Sequence, residues 1–526
     1  MNEDVAVIGS GLAAVAVCKA LIELGIKPTV FDVGRELPAK NSQIAMRLSQ
    51  QSVQDWDEES RDFINQNTTI HGRQHPKKLL FGSGYFYGSP QDADILCDQP
   101  EKHCPPFSFA KGGFSVGWGA SVLFPDQCDL VDWPISASEL VSHFKAVMQE
   151  LPYSAAHDGL SLNFPLMKED YSPISPTHGN QILLNGLSAS GLLAKNEVVF
   201  GQSRLLLETK SCQYCGGCLS GCVYDAIYKS NKSLDVMIQA ELIVYHAGIH
   251  VDKVEDAFEG GYVLYKDTQG INNKRFFKRI FMAAGAVNST AIVMKSKRLY
   301  QQSATIKTTL SFIAPLLSLK KLALDWPNNN TMPGIFFEYQ AKALAQHWIH
   351  TQLSTPNELV LNKLGIHTKH LTSIQKIKRR LAEHLVIAHG NMHSTHANHY
   401  MLTLNKNRQD EDVFTAQRTE ATQAKKAVKN AVNKLATLTP AFGCYLLKPM
   451  VQDTTQAHGF HLGGSLPMKK NPQTPFDTDT LGRPFGWNHV HVVDSSIFPS
   501  IPATTVGVLA MANARRITLE SMAVKK

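Results

Sequence analysis

The apolar positions switch from a strand-like to a helix-like pattern and back within the first 32 residues. In DVAVIGSGLAAVAVCKALIELGIKPTVFD (Asp4 to Asp32), Val5, Val7 and Ile8 predict a short buried strand. A glycine turn, a small-residue helix and a second apolar strand ending at Asp32 follow. The same order returns in FFKRIFMAAGAVNSTAIVM (Phe276 to Met294), which predicts a strand, a small-residue turn at Ala283 to Ala286 and a helix. FAKGGFSVGWGASVLFP (Phe109 to Pro125) has few charges and many glycines, and predicts close backbone approach to a ligand. In the next stretch, DWPISASEL, Trp133 and Pro134 close a loop and Ser136 or Ser138 caps a helix. DVFTAQRTEATQAKKAVKNAVNKLATL (Asp412 to Leu438) reads as one long amphipathic helix with a charged and an alanine-rich face, lying over a sheet. No internal repeat or low-complexity tract interrupts these patterns.

Composition narrows the class. Charged residues make up 18% of the 526, below the ~25% usual for soluble domains. That favours a large buried core over a solvated chain. The net charge is +7, and the single basic block is KIKRR (Lys376 to Arg380), so no nucleic-acid partner is expected. A solvated helix face is the ordinary reading of such a block; an acidic partner or peripheral contact with a membrane surface stays open. Thr308 to Trp326 comes nearest to a membrane span, but Pro315, Lys320 and Lys321 break it, and no transmembrane segment is expected. The first strand begins at Val5, so no secretory signal is expected either. Nine cysteines without an export signal then imply a reducing, cytoplasmic compartment.

The glycine turn carries the first candidate chemistry. Gly9, Gly11 and Ala14 give G-x-G-x-x-A: a sharp turn, close approach of a pyrophosphate to the backbone, and tight helix–strand packing. The helix N-terminus offers free N–H groups to phosphate. Asp32, 21 residues after Gly11, stands where a carboxylate takes ribose hydroxyls and argues against a 2′-phosphate. The motif alone does not separate FAD from NAD.

A second signal is CQYCGGCLSGC, with Cys212, Cys215, Cys218 and Cys222 at C-x2-C-x2-C-x3-C. That is the spacing of iron–sulfur ferredoxins. A structural zinc, or thiols that are bare or disulfide-linked, remain alternatives. Cys18, Cys97, Cys104, Cys128 and Cys444 read as core fillers. His389, His393, His396 and His399 resemble a metal-ligand run, yet Gly390, Asn391, Ser394 and Thr395 make poor helix; a polar strand or loop facing a pocket is the plainer reading. LLFGSGYFYGSP (Leu79 to Pro90) suits a lid over a pocket or a structural loop equally.

Taken in order, these pieces resemble the glucose–methanol–choline (GMC) family of FAD-dependent oxidoreductases. The matching stretches are Gly9 to Ala14, G-G-F-S-x-x-W-G-A at Gly112 to Ala120, D-W-P-I at Asp132 to Ile135, A-A-G-A at Ala283 to Ala286, H-L-G-G-S-L-P-M at His461 to Met468, and V-V-D-S-S-I-F-P at Val492 to Pro499. Residues Gln301 to Thr454 match only loosely. The resemblance implies a Rossmann-like FAD-binding domain, a parallel sheet with helices, from 1–38, 105–135, 195–300 and 455–526. An interleaved α+β substrate domain with an antiparallel sheet would come from 39–104, 136–194 and 301–454. It implies FAD contacts from Gly112, Gly113, Ser115, Val251, Ala284, Gly285, Asp494 and Ala503, in addition to the first turn. His461 falls on the family's base for oxidising a CH–OH group of a sugar-like or other alcohol. The helix of PATTVGVLAMANA would point its positive end at the flavin pyrimidine edge.

One position departs from the family. A second His or Asn usually precedes that helix, and Ala503 stands there, so Thr504 or Thr505 would have to supply a hydroxyl donor. Some dehydrogenase relatives carry an iron–sulfur cluster at a similar cysteine stretch, which would pass electrons to an acceptor protein or a quinone. Ala503 also motivates the alternative of a non-catalytic flavoprotein with a structural or assembly role.

Overall fold

The structure is a computed structural model. It describes residues 4–523 except 67, 70–76, 98–102, 196, 325–328, 358–359, 362–363, 367–371, 420–421 and 454–458. Trp326, Glu420, Ala421 and Thr454, which fall in stretches quoted above, lie outside the described residues.

Five parallel strands form the first layer, in the order Val490–Val492, Arg279–Met282, Val5–Ile8, Thr29–Phe31, Val244–His246. The helices used below are α1 (Leu12–Glu23), α2 (Ala286–Ser296), α3 (Ser373–Ala382), α4 (Ala424–Leu438) and α5 (Gly507–Ala523). Both strand–turn–helix units read from the sequence are present. The first runs from Val5 through α1 to Phe31, and the second from Arg279 through α2. Central strands covered on both faces need continuous apolar side chains, and Val5 to Ile8 and Ile280 to Met282 are almost wholly buried. Gly9 has φ +102°, and a Cβ there would stand 2.5 Å from the Ala283 carbonyl oxygen. The two predicted turns therefore pack directly on each other, and only glycine fits between them.

The second layer is antiparallel. Its larger sheet runs Cys444–Leu446, Leu310–Ser318, Leu385–Met392, Trp348–Ser354, Ile335–Gln340, Val198–Gln202. A smaller one runs Leu462–Gly463, Ser303–Thr308, His399–Lys406, Asp412–Thr419, Ile95–Leu96. One face of the larger sheet packs Phe312, Phe337, Tyr339 and Leu353 against Ala427, Ala431 and Leu435 of α4. The chain is thus mixed α/β, a parallel sheet joined to antiparallel sheets.

Two expectations need correction. Asp412 to Leu438 is not one helix: Asp412–Thr419 is a strand, and the helix starts at Ala424. Phe414 and Ala416 are buried while Thr415 and Gln417 are exposed, a period of two that pairing with His399–Lys406 exploits. Val198–Gln202 sits in the stretch assigned to cofactor binding, yet it pairs with Ile335–Gln340 in the larger antiparallel sheet. Elsewhere Ser136, not Ser138, caps its helix, in a capping box with Glu139.

Candidate active site

A cleft of about 1460 Å³, partly open to solvent, lies over the C-terminal ends of the parallel strands. Gly9, Gly11, Asp32, Gly112, Gly113, Ser115, Val251, Ala284, Gly285 and Asp494 all line it. Ala14 does not; it is fully buried in α1 behind the turn, in the packing role its motif position predicts. Ala503 is also fully buried and stands outside the lining. A Cβ added at Gly11 or Gly285 would meet nothing within 4 Å, so both backbones face open space, as close approach of a ligand demands.

Hydroxyls stitch the cleft walls together. Ser10 Oγ accepts from Gly112 N at 2.9 Å. Ser115 Oγ bonds Ser230 Oγ at 2.7 Å and donates to the Gly112 carbonyl at 2.7 Å. Ser230, at the start of the Ser230–Gln239 helix, was not singled out in the sequence because no glycine or charge marks it. Asp494 Oδ2 accepts from Gly285 N at 2.9 Å and Oδ1 from Ser496 N at 3.0 Å, holding the A-A-G-A turn. Burial pushes its carboxyl above the usual range. Asp32 accepts from the Tyr245 hydroxyl at 2.9 Å; burial raises its pKa to about 6, against the lowering effect of Ser10 and Tyr245. Val506, Gly507 and Ala510 place the start of α5 on the cleft wall.

The other face of the larger antiparallel sheet carries a polar row. Glu338 stands opposite His350, His350 opposite Asn391, and Asn391 opposite Ser311. Gln352 and His389 pair in the adjacent register. His350 Nδ1 lies 2.7 Å from Glu338 Oε1, with both side chains almost fully buried. Gln352 Nε2 reaches His350 Nε2 at 3.1 Å and Ser121 Oγ at 3.3 Å, linking the sheet to the glycine-rich Phe109 to Pro125 segment. With Gln352 donating to Nε2, the proton of His350 sits on Nδ1 and points at Glu338.

His461 stands where the cleft meets this row. Phe460 and Leu462 on either side line the cleft, while His461 itself does not. Burial, then the charges of His350 and His389, lower its pKa to about 4. Its Nδ1 is buried without a hydrogen-bond partner. His389 is lowered to about 4 by burial and then by His350. The three imidazoles thus form one electrostatic group. Thr505 Oγ1 is taken by the backbone of Leu123, accepting from N at 3.1 Å. Thr504 is fully buried, and its hydroxyl has no partner.

The remaining histidines of the run separate. His393 stacks on His347 with ring centroids 3.8 Å apart, and His347 Nδ1 lies 3.4 Å from Asp129 Oδ1. His396 lies against the same His347, and His399 opens a strand of the smaller sheet. The four clustered cysteines line one small cavity with Leu207, Tyr214 and Asn330. Burial pushes Cys215 up to about 12, Cys218 higher still, and Cys222 upward as well. All nine cysteines are unbridged. Among the described residues no group of three or more His, Cys, Asp or Glu side chains is arranged to hold a metal ion. The Leu79 to Pro90 segment packs Leu80, Phe81 and Phe86 into a core that Cys215 and Val223 share; Tyr87 reaches Phe114 and Phe460 at the cleft edge.

Fold and cleft give an α/β protein with an antiparallel layer beside a glycine-lined cleft. Over its full length the chain shares this fold with pyridoxine 4-oxidase from Mesorbium loti, at a TM-score of 0.62 and 14% identity, covering 100% of both chains. A family model described as GMC oxidoreductase matches residues 389–514. The matched stretch contains His461 and Asp494. No curated protein matches the sequence.

Proposed function

We propose that the chain is an FAD-dependent oxidoreductase that oxidises a CH–OH group of a small-molecule alcohol, with His461 as the base. The observation that carries this reading is the convergence of ten expected cofactor residues on one cleft, with the His461 segment at its edge. Gly9, Gly11, Gly112, Gly113 and Gly285 would hold the pyrophosphate side, and Asp32 the ribose. FAD, when bound, supplies the acceptor for the substrate's hydride. His461 takes the hydroxyl proton; its lowered pKa keeps the imidazole neutral and able to accept it above about pH 4. His389, Asn391 and Gln352 present donors and acceptors to the rest of the alcohol from the sheet face. With Ala503 inert and Thr505 engaged, the second polar group beside the reacting carbon comes from this sheet.

The C-x2-C-x2-C-x3-C spacing is what assigns an iron–sulfur cluster to the four thiols, and bare thiols are the second reading. They share one cavity, and Ala226 N and Asn330 Nδ2 donate to Cys222 Sγ and Cys212 Sγ at 3.3 and 3.5 Å. Such a cluster would supply one-electron transfer to an acceptor protein or quinone, which favours a dehydrogenase. The oxidase reading is favoured by the fold shared with an oxidase. Anaerobic addition of candidate alcohols to the flavin-loaded protein tests the proposal: the flavin absorbance bleaches with a substrate. A protein that no polyol, sugar or aromatic alcohol bleaches is the non-catalytic flavoprotein that Ala503 motivates. Reoxidation by air then separates oxidase from dehydrogenase.

A further inference from the structure

Among the described residues, the helix whose apolar stripe faces outward is α3, SIQKIKRRLA. Ile374, Ile377 and Leu381 recur at i, i+3 and i+7 and therefore share one face. They are 68%, 59% and 64% exposed. The helix docks on the protein through a different face: Ala382 is buried, and Gln375 Nε2 donates to the Gly365 carbonyl at 3.1 Å. A helix normally buries its apolar stripe and leaves its polar face in water, and α3 does the reverse. Its N-terminus is well made, with Thr372 and Gln375 forming a capping box, so the exposure is not fraying.

Cations border the stripe on both sides. At roughly 100° per residue, Lys378 falls beside Ile374 on one flank and Arg380 beside Ile377 on the other, with Lys376 next to Arg380. No acidic side chain pairs with any of the three among the described residues. The strand end alongside extends the patch. Ser318 N donates to the His384 carbonyl just past α3, and Leu319, 67% exposed, follows it with Lys320.

We propose that α3 is an interfacial helix that docks the protein on an anionic lipid surface, its apolar stripe sunk among acyl chains and its cations at the headgroups. A bilayer offers an apolar layer beneath a negative one on both sides of a helix lying in its plane, which is the arrangement α3 matches. A second copy of this chain fits poorly, since the same face would bring like charges together. At ten residues the helix is too short to span a membrane.

Cosedimentation of the flavin-loaded protein with phosphatidylcholine vesicles, with and without phosphatidylglycerol, tests this. Binding to the anionic vesicles is expected, with weak binding to the neutral ones and loss of affinity as salt rises. Ile377→Glu and Leu381→Glu each lower the partition coefficient about tenfold or more; Lys376→Glu and Arg380→Glu each lower it about fivefold. All four sites are on the outside of a helix, so the variants keep the flavin spectrum and melting temperature; a variant that does not is replaced by Ile377→Ser. Absence of vesicle binding overturns the proposal, as does binding that Ile377→Glu leaves unchanged. Binding to polyglutamate but not to vesicles assigns the face to an acidic protein and overturns it too. So does a monomer–dimer equilibrium that these variants shift while vesicle binding stays the same.

Discussion

The cofactor cleft and the polar row above it are built by opposite means. The cleft is made of short local motifs, each a turn between a strand and a helix, brought side by side by a parallel sheet. Its lining is mostly backbone and small side chains. The polar row has no motif. Glu338, His350, His389 and Asn391 come from three strands and meet only because antiparallel registers place them opposite or beside one another. On the proposed function, a constant cofactor rewards a surface in which backbone does the work, whereas a particular alcohol would meet a face whose side chains pairing alone positions.

Substitutions can break this division of labour. The largest effect is expected at the junction: His461→Ala should lower the rate of substrate-driven flavin reduction by roughly 10²–10⁴-fold while flavin absorbance is retained, as stopped-flow spectroscopy would show. Gly9→Ala should act on the cleft alone, because its Cβ meets the Ala283 backbone and its φ is +102°. Flavin content per chain should drop severely. His389→Ala should leave flavin content intact and slow reduction about tenfold, on the general scale of lost substrate positioning. If instead it empties the flavin, the row supports the cleft and the contrast between the two regions fails. Cys215→Ser should remove iron from protein that carries it and leave flavin binding unchanged, by metal analysis.

A gentler effect concerns pH. Burial lowers His389, His461 and His491 to about 4 and His393 to about 3, below the ~6.5 of an unfolded histidine. The unfolded chain therefore binds more protons in that interval. Stability from these groups is complete above about pH 6.5 and is lost as the pH falls toward 4. Urea midpoints should decline across that window, and His491→Asn, remote from the polar row, should flatten the decline without altering turnover.

The sequence made the cleft legible and the row nearly invisible, for the same reason. Gly9, Gly112 and Gly285 mark positions where local geometry leaves no other residue, so their spacing carries information. Glu338 and His350 could stand in any half-buried strand; nothing near them in the chain tells that they face each other. The histidine run is visible in the sequence, but the pairing of His389 with Gln352 depends on register, and so does the separation of His393 and His396 toward His347. The charged and polar residues of Asp412 to Thr419 fit a helix face as well as a strand, so the sequence alone does not mark the strand. Ala503 could be placed by counting back from the last helix, yet only the contacts of Thr505 with Leu123 reveal that its neighbour is engaged elsewhere.

The serine clasp has a kinetic corollary. Ser10, Ser115 and Ser230 fasten three loops drawn from distant parts of the chain through bonds that need no ligand atom. The entropy of ordering those loops is lost during folding instead of at the encounter, so the incoming nucleotide meets a mould already cast. Loosening one rivet, as in Ser230→Ala, would then show itself chiefly as faster escape of the nucleotide from a chain that still folds.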